Sequence, residues 1–311
     1  MRRKYLAVLL AASVLFAPAS ASAAGGFTIS PANQEVILAE GAEETSFELS
    51  LTNRDNAEVM LRLKVVDFKA LDESGGIAFL GLKANQTETR YGLTAWLRFS
   101  ADTVSVAPGE TEKVVVTIDN RDSLSPGGHY GAVVAVPVDP ANPAAMPEVD
   151  ILPATAALVL LKKQGGEQYG LNLDSAALAR SGWGMPSSIS LRFQNTGNIH
   201  VVPRGTVAVR GPGGQEVSKA IINETSGVVL PETFRKLTTG FMVLRRPFWP
   251  GRYQAVINWR YDGREQNSQQ VISFWYMGFG IYLLGAVSLL FVAILWITLR
   301  KSSKKHSKTT V

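Results

Sequence analysis

The stretch Val59-Met60-Leu61-Arg62-Leu63-Lys64-Val65 places an apolar side chain at every odd position and long polar ones at two of the three even positions. Successive side chains of a β-strand point to opposite faces of its sheet, so this period of two predicts a strand with one buried face. The same habit recurs in Phe47–Leu51, Ser188–Phe193 and Thr206–Arg210. We therefore expect strands to dominate the chain between residues 27 and 272.

Turn-forming residues separate these segments at short intervals. Asn, Asp, Gly and Pro favour the backbone angles that tight turns require, and short strands with frequent turns are typical of β-sandwiches. The turn sequences are Asn53–Asn56, Ser74–Gly76, Ala107–Gly109, Ser125–Gly128 and Gly211–Gly214. With no helical period between the two ends of the chain, the pattern predicts an all-β fold of immunoglobulin-like (Ig-like) sandwiches.

Three landmarks occur in the same order in both halves of the chain, which indicates an internal repeat. Each half has an Asn-bearing turn after a strand and a second turn, Pro-Gly-Glu-Thr or Pro-Glu-Thr, before a strand. Each half also has a strand with an early tyrosine, Tyr130 or Tyr253. The paired segments are 51–56 and 193–198, 108–113 and 231–236, and 126–133 and 250–256. We predict two tandem Ig-like β-sandwich domains, 24–165 and 166–272, in which each tyrosine is buried within its own half.

The boundary between the halves has two interpretations. The proline-rich segment Pro140–Pro147 is typical of a linker, yet the apolar strand Thr155–Leu161 follows it. We favour an excursion between the last two strands of the first domain, with the junction near Lys163–Gln168. A linker at Pro140–Pro147 is the alternative.

The first 23 residues have the order of a secretory signal peptide. Three basic residues precede an apolar run that ends at Ala17, and small residues follow Pro18. Ala21 and Ala23 are the small residues that a signal peptidase reads, so we expect cleavage after Ala23.

A second apolar segment lies near the C-terminus. Residues 274–299 contain no charged side chain and would span about 39 Å as a helix. Trp275, Tyr276 and Trp296 are expected to lie at the membrane interfaces, as are the following Arg300 and Lys301. The tail 300–311 has five basic residues and no acidic one, which predicts a single-pass protein with an extracellular ectodomain and a cytoplasmic C-terminus.

The composition of the chain argues against several kinds of functional site. The chain has no cysteine and three histidines, His129, His200 and His306, so no metal or cofactor site is expected. The net charge of +5 comes from the two ends, because the middle carries 23 basic and 26 acidic residues. We therefore expect no nucleic-acid partner. No nucleophile motif is present, and we predict that the chain is not an enzyme, with a hydrolase as the less favoured alternative.

One aromatic side chain is a candidate ligand contact. Trp183 lies in Ser181-Gly182-Trp183-Gly184, a loop sequence, where an indole ring is free to meet a ligand. A core position is the alternative for any tryptophan of a sandwich.

The landmark residues resemble those of WxL-interacting proteins, a class of bacterial surface proteins. The similar segments are Phe27–Pro31, Leu51–Asn53, Val106–Thr111, Pro126–Val133 and Gln194–Asn198. The resemblance implies a non-catalytic scaffold at the cell surface, with peptidoglycan or another cell-wall polymer, or a surface protein, as its partner and the membrane as its anchor. An accessory or sensor subunit of a membrane complex is the alternative.

Overall fold

A computed structural model describes residues 26–80, 90–141 and 155–306. The protein is mostly β-structure with one C-terminal helix, as the alternation predicted. The first ten strands are β1 (Phe27–Ser30), β2 (Asn33–Leu38), β3 (Glu44–Asn53), β4 (Val59–Ala70), β5 (Ile77–Leu80), β6 (Leu97–Phe99), β7 (Thr103–Val106), β8 (Thr111–Asp119), β9 (Gly127–Pro137) and β10 (Thr155–Lys163), with a 3-10 turn at Thr94–Trp96.

These ten strands form two sheets that face each other across one apolar core. One sheet has the order β1-β3-β8-β6, and the other has the order β2-β10-β9-β4-β5, with β7 also paired to β4. Leu49, Leu51 and Val116 of the first sheet meet Leu61 and Val133 of the second in that core. We call this unit the N-terminal sandwich. β10 pairs with β9 along its whole length, so Thr155–Lys163 is part of this sandwich.

The remaining strands form a second pair of sheets, which we call the C-terminal sandwich. They are β11 (Leu171–Ala179), β12 (Ser188–Asn195), β13 (Arg204–Arg210), β14 (Glu216–Ile222), β15 (Phe234–Gly240), β16 (Met242–Val243), β17 (Gly251–Tyr261) and β18 (Arg264–Tyr276). The sheet orders are β11-β12-β15 and β16-β14-β13-β17-β18. Their core contains Leu191, Phe193, Val207, Ile257 and Trp259.

The Asn-bearing turns of the repeat have the same structure in both sandwiches. The Asn53 side chain donates to the carbonyl oxygens of Ala57 and Val106, and the Asn195 side chain donates to those of Ile199 and Val229. Each of the two side-chain oxygens also accepts a bond from the backbone two residues later. A buried amide that satisfies three backbone groups holds the turn closed, because an unpaired buried polar group is costly.

The two sandwiches share a third apolar cluster, which we call the junction cluster. It covers the outer face of β9 and contains Tyr130, Phe68 and Leu160 of the N-terminal sandwich, against which Val228 and Leu230 of the C-terminal sandwich pack. Every residue of β9 except the last is therefore buried, on both faces of its sheet. Tyr130 thus differs from our expectation: it packs against the other half of the chain as well as its own.

Ion pairs lie beside the junction cluster. Arg192 contacts both carboxylate oxygens of Glu73 at 2.6 and 2.8 Å and also pairs with Asp174 at 2.7 Å. Arg90 pairs with Glu232 at 2.7 Å. Because Glu73 and Arg90 belong to the N-terminal sandwich, two of these pairs connect the two sandwiches.

Helix α1 (Gly280–His306) follows β18 after a short turn. Its residues Gly280–Leu299 are long and apolar enough to cross a membrane, and they are almost entirely exposed. The expected start at residue 274 is wrong, because Phe274–Tyr276 complete β18. Phe274 is buried in the core, and the Tyr276 hydroxyl donates to the Pro247 carbonyl at 3.0 Å, so these residues are held in the sheet.

Candidate functional site

The outer edge of β18 is the candidate site. β18 is thirteen residues long and lies at the end of its sheet, where one of its edges pairs with β17. In the part of the chain that the structure describes, no strand pairs with its other edge. Alternate backbone N–H and C=O groups of an edge strand point away from the sheet, so β18 offers a row of hydrogen-bonding groups to another chain.

The equivalent strand of the N-terminal sandwich is covered. β10 occupies the same place beside β9 that β18 occupies beside β17, and β2 pairs with β10 in parallel through Leu158–Lys163. In the C-terminal sandwich, the first strand, β11, pairs with β12 alone among the described strands. Among the described strands, the halves therefore differ in that β10 is covered by another strand and β18 is not.

The sequence of β18 does not protect this edge. Proteins usually block an exposed edge with lysine, proline, a bulge or a very short strand. β18 contains neither lysine nor proline, and its pairing with β17 is regular from Gly251 to Trp259. Gln266–Gln270 is a run of five uncharged polar residues, mostly exposed. Such a strand accepts a partner strand without charge repulsion.

A second cluster of polar groups crosses the junction between the sandwiches. The Tyr130 hydroxyl lies 3.2 Å from His200 Nδ1, and Lys162 pairs with Glu35 at 2.7 Å. Among the described residues, His200 Nε2 is buried without a hydrogen-bond partner, and it lies 3.8 Å from a Glu35 oxygen, which is beyond hydrogen-bond distance. His200, followed by Lys162, lowers the pKa of the Glu35 carboxyl to about 2, although partial burial opposes the shift.

Burial lowers the pKa of both buried histidines. His200 and His129 are each almost fully enclosed, and the low-polarity surroundings disfavour the charged imidazolium. The ring nitrogens of His129 lie 3.1 and 2.8 Å from the carbonyl oxygens of Gly92 and Ser125. Both histidines therefore serve the packing of the sandwiches rather than a surface site.

Acid is expected to destabilise the protein through these histidines. A histidine whose pKa is depressed in the folded state binds a proton on unfolding, so stability falls as the pH drops through about 6.5, the ordinary histidine pKa. We expect the melting temperature to fall between pH 7 and pH 5, and His200→Gln to weaken that dependence. Differential scanning calorimetry across this range tests it. An identical pH dependence in His200→Gln would contradict the assignment to His200.

The residues that the sequence singled out are placed as follows. Trp183 is 55% exposed in the loop after β11, and its carbonyl accepts a bond from Met277. Trp275 is exposed on β18, whereas Tyr276 is half-buried against the core. Trp296 is exposed on α1, and Arg300 and Lys301 lie within that helix. The signal peptide, with Ala21 and Ala23, lies outside the described residues.

The structure thus gathers Trp183 and Trp275 at one end of the C-terminal sandwich and leaves Trp296 on the helix. The β18 edge was missed in the sequence, although the run Gln266–Gln270 next to a predicted helix was visible there. Within residues 26–80, 90–141 and 155–306, no group of three or more His, Asp or Glu side chains is arranged to hold a metal ion.

No protein-family model and no curated protein matches the chain. Among solved structures, the chain is similar to a chaperone–tip adhesin complex of CFA/I fimbriae (12% identity, TM-score 0.44), with 80% of this chain and 98% of that chain covered. The class 5 fimbrial chaperone CfaA is similar at 13% identity and a TM-score of 0.44, with 79% and 98% covered.

A third similar structure is the CsuC–CsuE chaperone–adhesion subunit complex of Acinetobacter baumannii, at 13% identity and a TM-score of 0.35, with 79% of this chain and 97% of that chain covered. These proteins are named as chaperones.

Two expectations from the sequence are corrected by these structures. The chain was expected to be a membrane-anchored scaffold that binds the cell wall, with the membrane and cell-wall polymer or a surface protein as partners. The similar structures are instead fimbrial chaperones, three of which are named together with adhesin or pilin subunits. The expected wall-binding function is therefore wrong.

Proposed function

We propose that the protein binds an extended segment of another polypeptide by adding it as a strand to the outer edge of β18. The single observation that carries the proposal is the open thirteen-residue edge of a five-stranded sheet. Strand addition obtains its affinity from main-chain hydrogen bonds, and it takes its specificity from alternate side chains.

The beginning and the end of β18 differ in what they offer such a partner. From Arg264 to Val271 the described side chains are exposed or half-exposed, whereas Phe274 is buried in the core. A partner strand would therefore meet a polar ribbon over the first eight residues. Similar fimbrial chaperones have also been solved in complex with pilin or adhesin subunits, which belong to the class of partner proposed here.

The location of the chain is a separate proposal and rests on α1. The exposed apolar part of α1, 20 residues long, is costly in water and has the length of a membrane span. We propose that α1 crosses the cell membrane once, with the sandwiches on the outer side and the basic C-terminal tail in the cytoplasm. Membership of the WxL-interacting protein family stays a prediction from the sequence.

Neighbouring proline substitutions test the strand-addition proposal. In an antiparallel strand, one residue directs its N–H to the neighbouring strand and the next directs it outward. Of Gln269→Pro and Gln270→Pro, one removes a bond to β17 and lowers the melting temperature, and the other removes only an outward donor. The second variant keeps its fold and is the informative one.

The probe is a set of twelve-residue peptides selected from a random displayed library on the full chain in lipid nanodiscs. We expect selected peptides to protect backbone amides of Gln266–Ser273 from hydrogen exchange. We also expect the fold-preserving proline variant to bind them about tenfold more weakly or worse, since each lost bond reduces affinity. Peptides that bind without protecting these amides, or equally well to that variant, would overturn the proposal.

A further inference from the structure

The end of the C-terminal sandwich nearest α1 exposes an unusual number of large apolar side chains. They lie on three segments: the loop after β11, the segment between β15 and β17, and the end of β18 with the turn that leads to α1. We call this surface the base. Its exposed apolar residues are Trp183, Met242, Val243, Leu244, Phe248, Trp249, Trp275, Met277 and Phe279.

Specific hydrogen bonds fasten the base to the start of α1. The Gly280 N–H donates to the Phe248 carbonyl at 2.9 Å, and the Met277 N–H donates to the Trp183 carbonyl at 3.0 Å. The Tyr276 hydroxyl donates to Pro247 at 3.0 Å. The three segments and the first turn of the helix are therefore held at one level, and exposed apolar rings surround the point where the helix leaves the sandwich.

An apolar cleft separates the base from the helix. Its volume is about 670 Å³, and Met185, Val243, Phe248, Phe279 and Tyr282 are among its lining residues. The cleft lies at the level where α1 begins, so any molecule that surrounds the helix there also reaches the cleft.

The charges of the base have one sign. Arg245 and Arg246 are exposed between the apolar residues of the segment 241–250, and no Asp or Glu occurs in 181–186, 241–250 or 273–280. Arg180 and Arg252 are exposed beside Trp275, and Arg180 donates to its carbonyl at 3.0 Å. Aromatic rings combined with unopposed arginines are typical of surfaces that meet phospholipid headgroups.

We propose that the base lies in the headgroup layer of the membrane that α1 crosses, with its apolar rings at the acyl boundary and Arg245 and Arg246 on lipid phosphates. The inference rests on the proposed location of α1. It adds that the C-terminal sandwich itself contacts the bilayer. The orientation of β18 relative to the membrane is then fixed by this contact, and the sandwich does not swing freely on a linker.

The absence of cysteine allows single spin labels to measure depth in the full chain. Labels would be placed on Met242→Cys and Trp249→Cys at the base and on Leu289→Cys within α1. Glu110→Cys, in an exposed turn at the far end of the N-terminal sandwich, is the aqueous control. The chain is reconstituted in phosphatidylcholine vesicles with about one-third phosphatidylglycerol, an anionic lipid, and collisions with oxygen and with a water-soluble nickel chelate are compared.

We expect the labels at Met242 and Trp249 to favour oxygen over the nickel chelate, although less than the label at Leu289, and the label at Glu110 to favour nickel. Nickel-accessible labels at both base positions together with a lipid-buried Leu289 label would overturn the inference while leaving the location of α1 intact. A nickel-accessible Leu289 label would instead contradict the location.

A charge variant tests the phosphate contacts. In vesicles that contain phosphatidylglycerol, Arg245→Gln with Arg246→Gln is expected to make the Met242 label several-fold more accessible to nickel. The matched control changes Arg260 and Arg264 to glutamine at the opposite end of β17 and β18, and it should leave that label unchanged. Equal accessibility in all three proteins would contradict the role of the two base arginines.

Discussion

Asn195→Asp is expected to lower the free energy of unfolding by about 3–5 kcal/mol, the loss typical of an uncompensated buried charge. The Asn195 side chain is fully buried, and its nitrogen donates to the carbonyl oxygens of Ile199 and Val229 at 2.8 Å. Aspartate has the same shape, but a carboxylate oxygen would replace the donating nitrogen. That oxygen cannot donate a hydrogen bond and would lie against two carbonyl oxygens, which also only accept. Urea unfolding of the full chain in detergent micelles measures the change.

The structure offers matched controls for this substitution. Asn53→Asp makes the same change at the equivalent turn of the N-terminal sandwich and should have a comparable effect. Asn267→Asp changes an exposed residue of β18 and should alter stability by less than about 0.5 kcal/mol. If Asn195→Asp were as mild as Asn267→Asp, the turn would not depend on the buried amide.

Tyr130→Ala is expected to cost about 3–5 kcal/mol, as is typical when a buried aromatic ring is truncated. The ring packs beside Phe68 and His200 with centroid distances of 6.0 and 5.5 Å, so its removal opens a cavity between the two sandwiches. Tyr130→Phe retains the ring and removes only the hydroxyl that lies 3.2 Å from His200 Nδ1, which should cost about 1–3 kcal/mol.

The two tyrosines should differ in which segments lose protection from hydrogen exchange when the ring is removed. The Tyr253 hydroxyl donates to the Trp249 carbonyl four residues earlier, within the C-terminal sandwich. Hydrogen exchange should therefore increase at Val228–Leu230 in Tyr130→Ala, because Val228 and Leu230 pack against the cluster that contains the Tyr130 ring. Tyr253→Ala should loosen only the C-terminal sandwich. Unchanged exchange at Val228–Leu230 in Tyr130→Ala would contradict the shared junction cluster.

The predicted equivalence of the two tyrosines shows where local patterns mislead. Both follow a turn glycine and begin an apolar strand, which is why the same role was expected for both. Tyr253 has the short-range bond of that role, whereas the Tyr130 ring lies on the outer face of its sheet. Part of the cover over that face comes from Val228 and Leu230, about a hundred residues later in the chain. No pattern within one strand records such a distant contact.

Much of the architecture was already determined by the sequence. The period of two in Val59–Val65, the paired Asn turns and the apolar run before the basic tail each depend on neighbours in the chain, so strands, turns and a C-terminal helix were predictable from local chemistry. The tertiary structure alone decided that β2 covers β10 while β18 remains open, that Tyr130 joins two sandwiches, and that the rings of the base surround α1. Each of these features requires contacts between segments that are far apart in the chain. Hydrogen bonds between strands and packing between sheet faces form only once the chain has folded, so local sequence patterns do not record them.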